Sequence, residues 1–152
     1  MSTHPTVTKW LRSSRSELDD IYRNAKVGTL PNGDTAGTAI IWWLGFLATP
    51  LALLFRLLVW QGKVVDIFAP ACEAGVLVNK VTPLRLKFIV AKVCRGNSWM
   101  DGKDTIIIDY SATSFFFRAV RDEIREVEPG VWLGKVWLGK LRVADFALVA
   151  RR

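Results

Sequence analysis

Between Lys103 and Gly139 two apolar strand patterns are each bounded by a turn signal, and that punctuation commits this half of the chain to β-structure. Ile106-Ile107-Ile108 is a β-branched run, which suits a pleated and half-buried surface. Glu128-Pro129-Gly130 is a turn, with φ preset by the proline and a positive φ open to the glycine. The pentapeptide Val-Trp-Leu-Gly-Lys occurs at 131–135 and again at 136–140. Its odd period reverses the face presented, so Trp132 and Trp137 are expected to point opposite ways along one strand.

The rest of the chain adds strands and little helix. Further strands are read at Thr35–Trp43, Lys63–Phe68, Gly75–Val81, Arg85–Arg95, Glu123–Glu128, Val131–Leu138 and Leu141–Val149. Asp101-Gly102 reads as a two-residue hairpin turn, and Thr113–Asp122 as a short helical turn. Residues 1–12 are polar and read as a loose segment, with residues 13–152 as one domain. Ser14 and Glu17 form a capping box, and Leu18, Ile21, Tyr22 and Ala25 make one apolar helix face that serves as a lid or plug.

Residues 40–60 have the length of a membrane span and one charge, Arg56. Thr49-Pro50 and Gly62 divide the run into a strand and a helix over Pro50–Gln61, so no integral span is expected. The expected fold class is therefore mainly β with N-terminal helices. About eight strands joined by short turns form a small antiparallel β-barrel, because closure removes open edges.

Net charge is +7, but lysine and arginine are scattered and no nucleic-acid-binding motif is present, so nucleic acid is not an expected partner. One histidine, His4, and two cysteines, Cys72 and Cys94, assemble no metal site by spacing, and no cofactor motif is present. Reduced thiols and the lack of a leader pattern point to a cytoplasmic protein, as monomer or homodimer. Peripheral membrane contact through residues 40–60 is a third reading.

The stretches WQGK (60–63), VLVNKV (76–81), SWMDGKDTIIIDY (98–110) and RDEIREVEPGVWLG (121–134) resemble an uncharacterised bacterial family of small lipocalin-like, calycin-type β-barrel proteins. The likeness runs from about Val27 to Ala150. It implies the barrel and no activity, since one fold hosts many functions.

Polar residues on apolar strand faces are the candidates for chemistry. Asp109, Tyr110 and Arg125 are read as catalytic, a carboxylate base with two groups able to stabilise an oxyanion. Lys92 and Asp145 are read as substrate-binding, with Trp43, Phe88, Phe116 and Trp132 as aromatic walls. Seven tryptophans and eight phenylalanines suit a cavity for a hydrophobic small molecule. The expected function is a cofactor-independent isomerase, cyclase or lyase of secondary metabolism. A non-catalytic carrier or sensor of the same ligand class is the alternative. Against both stands a purely structural role, in which these charges form buried ion pairs or face water.

Overall fold

The structure, a computed structural model, describes residues 4–41, 63–69, 74–79, 90–111 and 118–151. It is mainly β, with two short helices ahead of eight strands. The helices are α1 (Pro5–Trp10) and α2 (Arg15–Asn24). The strands are β1 (Gly33–Ile40), β2 (Lys63–Ala69), β3 (Ala74–Asn79), β4 (Val90–Asn97), β5 (Asp104–Asp109), β6 (Val120–Glu128), β7 (Val131–Leu138) and β8 (Leu141–Ala150). Each pairs antiparallel with the next, and β1 also pairs with β8, so the ladder returns on itself. The β1–β2 seam is narrow: Gly33 and Asp34 face Val65 and Val64, while residues 35–40 face β8.

Two turns follow directly from the sequence. Pro129-Gly130 joins β6 to β7 with Gly130 at φ 78°, and Gly139-Lys140 joins β7 to β8 with Gly139 at φ 59°. A third departs from it. The Asp101-Gly102 signal sits in a longer loop over residues 98–103, closed by hydrogen bonds from Ser98 N to Lys103 O and from Gly102 N to Ser98 O. Glu123 takes hydrogen bonds from Ser98 Oγ and Trp99 N, and these draw the loop onto the sheet in place of a tight hairpin.

The capping box is present: Ser14 Oγ accepts from Glu17 N at 3.2 Å, and Glu17 Oε2 accepts from Ser14 N at 2.7 Å. Upstream, the segment expected to be loose holds α1. Pro5 stands in its first turn, and Val7 and Trp10 bury themselves against Leu18, Tyr22, Val131, Leu133 and Ala147. That burial is tertiary, so no local pattern announces it.

β6 begins at Val120, ahead of the expected Glu123, and Arg121, Asp122 and Glu123 each find a partner there. Among the described residues no helix is long and apolar enough to cross a membrane. The Pro50–Gln61 helix and Trp43, Phe88 and Phe116 lie outside the described residues, as does the first half of the Thr113–Asp122 turn, whose last three residues belong to β6.

Register sorts the side chains into two faces. One row crosses Ile106, Ile124, Gly134, Phe146 and Ala39, and another crosses Val93, Ile108, Asp122, Val136 and Ala144. These rows carry the larger apolar cluster and face inward. The alternate rows face out. One crosses Ile107, Glu123, Lys135, Asp145 and Ile40, and the other crosses Lys92, Asp109, Arg121, Trp137 and Arg142. Helix α2 lies on this outward face through Tyr22, Leu18 and Asp19.

Candidate functional site

Among the described residues the inward face carries a buried polar pair, Tyr110 and Asp122. Tyr110 follows Ile106 and Ile108 in alternation along β5, and Asp122 alternates with Val120 and Ile124 along β6. The Tyr110 hydroxyl donates to Asp122 Oδ2 at 2.9 Å, and both residues are buried. Ile106, Ile108, Ile124, Val136, Phe146 and Leu148 belong to the same inner cluster. At Gly134 the backbone passes against the Phe146 ring, so closely that any Cβ would overlap it.

Trp132 is also on this face, and its indole Nε1 donates to Thr29 O at 2.9 Å. That bond belongs to a crossing segment, residues 26–30, which packs Val27 and Leu30 against the inner cluster. Glu126 holds the segment by accepting from Thr29 N at 2.7 Å, from Thr29 Oγ1 at 3.0 Å and from Gly130 N at 2.9 Å. Burial acts to raise the Glu126 carboxyl, but these donors outweigh it and hold it below the ordinary carboxylate value. Gly28, at φ 70°, is required here because a Cβ would strike Glu126. The segment after α2, and not the helix itself, is thus what closes over the inner face.

The remaining predicted residues do not join Tyr110. Arg125 projects outward and is 1% exposed. It makes a two-pronged ion pair with Asp101, both contacts 2.7 Å, and donates to Asp104 O, Tyr22 O and Lys103 O. It also stacks on the Tyr22 ring at 4.4 Å. Arg125 therefore ties β6 to the 98–103 loop and to α2. Its hydrogen bonds hold the Asp101 carboxyl below the ordinary carboxylate value.

Asp145 also projects outward, beneath α2. Its Oδ2 accepts from Lys135 Nζ at 3.2 Å, and both side chains are fully buried. Asp19 of α2 pairs with Lys135 at 3.1 Å and with Arg142. Burial pushes the Asp145 carboxyl up and the Lys135 ammonium down, each towards its neutral form. Asp109 and Lys92 are cross-strand neighbours on the outward face, with Lys92 exposed. Asp109 Oδ1 accepts from Ser111 N at 2.8 Å. The expected convergence of Lys92, Asp109, Arg125 and Asp145 with Tyr110 fails on register, since all four have the opposite parity.

Sequence reasoning missed Asp122, Glu123 and Lys135. The alternation Val120-x-Asp122-x-Ile124 carried the signal for Asp122, but Arg121-Asp122-Glu123 reads first as a solvated charge run. Glu123 is fully buried, accepting from Ser98 Oγ at 2.6 Å, Trp99 N at 2.9 Å and Arg121 Nε at 3.0 Å. Next to it, burial pushes the Tyr22 hydroxyl up to about 12.

No protein-family model matches the chain, and no curated protein matches it. Among solved structures the chain is similar to a protein from Thermomonospora curvata, with a TM-score of 0.59 at 15% identity. The match spans 96% of this chain and 93% of that one. At that identity the likeness is one of fold, and the chain shares a known mainly β architecture over nearly its whole length.

Proposed function

We propose that this protein binds an apolar small molecule against the inner face of its sheet, as lipocalin-like barrels do, with Tyr110 and Asp122 as the polar contact. The observation that carries the reading is the placement of that buried pair in the same cluster as Ile106, Ile108, Ile124, Val136, Phe146 and Leu148. A few convergent polar groups on an apolar wall are the usual make-up of a small-molecule site. Trp132 stands on the same face and supplies an aromatic surface.

A second reading is a cofactor-independent isomerase, cyclase or lyase on the same ligand class. It is favoured by the phenol of Tyr110 lying hydrogen-bonded to a carboxylate, an arrangement able to pass a proton to or from a bound substrate. Arg125, Asp145, Lys92 and Asp109 have no part in either reading.

Titration with an apolar fluorophore tests the binding reading. Saturable one-to-one binding is expected. Tyr110→Phe should weaken a ligand that bonds the hydroxyl by roughly threefold to tenfold, and Ile108→Trp, which fills the inner face, should abolish binding. Undiminished binding to Ile108→Trp would place the ligand elsewhere.

A further inference from the structure

A cleft opens beside the β6–β7 turn. It has a volume of about 640 Å³ and is lined by His4, Pro129, Gly130, Val131, Val149 and Ala150. That volume is of small-molecule size. Val131 and Val149 are cross-strand partners on the outward face, and Ala150 N donates to Gly130 O at 2.8 Å, which joins the two walls. The floor is therefore apolar and fixed by the ladder.

Among the described lining residues the polar side chain is His4. His4 Nδ1 is shut off from water and lies 3.5 Å from Glu128 Oε1. The same carboxylate oxygen accepts the Thr6 hydroxyl at 2.5 Å, so its position is set from α1. With Nδ1 turned into the protein beside Glu128, Nε2 is the ring nitrogen left for a molecule in the cleft to hydrogen-bond.

We propose that this cleft is a separate binding site for a small apolar molecule carrying a hydroxyl group, which hydrogen-bonds His4 Nε2. A ligand lacking a polar group would strip water from Nε2 and give nothing back, and an anionic one would meet the Glu128 carboxylate. The site does not depend on the inner-face reading, because its walls are the turn and the outward valines.

His4 is the chain's one histidine, so its imidazole resonances are unambiguous by NMR. Titration with cyclohexanol is expected to give a saturable shift of those resonances. Methylcyclohexane should bind roughly threefold or more weakly. Val149→Phe should abolish the shift by filling the floor; if that variant does not fold, the smaller Val149→Leu fills part of the same floor and should weaken binding. His4→Gln, followed on the Val131 methyl signals, should weaken cyclohexanol roughly threefold to tenfold. A non-saturating shift, or a saturable one that survives the filling substitution, would overturn the proposal.

Discussion

A guanidinium with almost no contact with water must have its donors met, and Arg125 meets them with Asp101 and three backbone carbonyls. Arg125→Met keeps the bulk but strands the Asp101 carboxylate in a partly buried position. It should cost about 3–5 kcal/mol of unfolding free energy, read by denaturant titration. Arg125→Lys should recover only part of this, because an ammonium cannot repeat the two-pronged geometry. The pair also predicts a pH dependence. The Asp101 carboxyl is depressed by Arg125, so its contribution is present above the ordinary carboxylate value and is lost as pH falls through the depressed one. Asp101→Asn should therefore flatten the acid limb of a stability–pH curve measured from neutral pH downward.

Lys135 and Asp145 form a different sort of buried pair, sealed under α2 and joined by Asp19 and Arg142. Lys135→Met alone should destabilise by about 3–5 kcal/mol, since Asp145 then remains buried without its closest cation. The double change Lys135→Met with Asp145→Leu should regain most of that loss, because neither charge is left to desolvate. A double variant no more stable than the single one would mean that the ion pair itself holds α2 in place.

At the scale of elements, β7 was the most legible part of the chain. Val131–Leu138 has the boundaries read from the sequence, and its repeated pentapeptide does send Trp132 and Trp137 to opposite faces. Trp132 reaches Thr29 on the inner side, while Trp137 meets the Trp99 ring edge-on at 5.8 Å on the outer side. The capping box of α2 was equally legible, since both of its bonds are local. Ser14→Ala should cost about 1 kcal/mol in thermal unfolding.

What stayed hidden was the parity of one strand against another. Alternation along β5 separates Asp109 from Tyr110, but nothing in β5 tells which of the two looks inward. The answer comes from Ile106 facing Ile124 and from α2 covering Glu123 and Lys135, both long-range facts. α1 was missed for the same reason, as its two buried residues need a sheet to bury against. The closeness of Gly134 to Phe146 is likewise tertiary. Gly134→Ala should overpack that contact and cost roughly 1–3 kcal/mol, seen as a lower Tm.

For the whole molecule, the two faces of the sheet divide the labour. The outward face spends its charges on holding α2 and the 98–103 loop, through Arg125, Glu123, Lys135 and Asp145. The inward face keeps an apolar surface, with Tyr110 and Asp122 as its polar pair among the described residues. Variants on the two faces should accordingly fail in different ways. The most direct test is one titration of an apolar fluorophore into wild type, Arg125→Met and Tyr110→Phe, scored per folded molecule at a temperature where all three are native. Affinity per folded molecule should be unchanged in Arg125→Met despite its lower stability, and weaker in Tyr110→Phe. The reverse pattern, with affinity lost in Arg125→Met and kept in Tyr110→Phe, would contradict the proposal that the ligand sits on the inner face with Tyr110 as its polar contact.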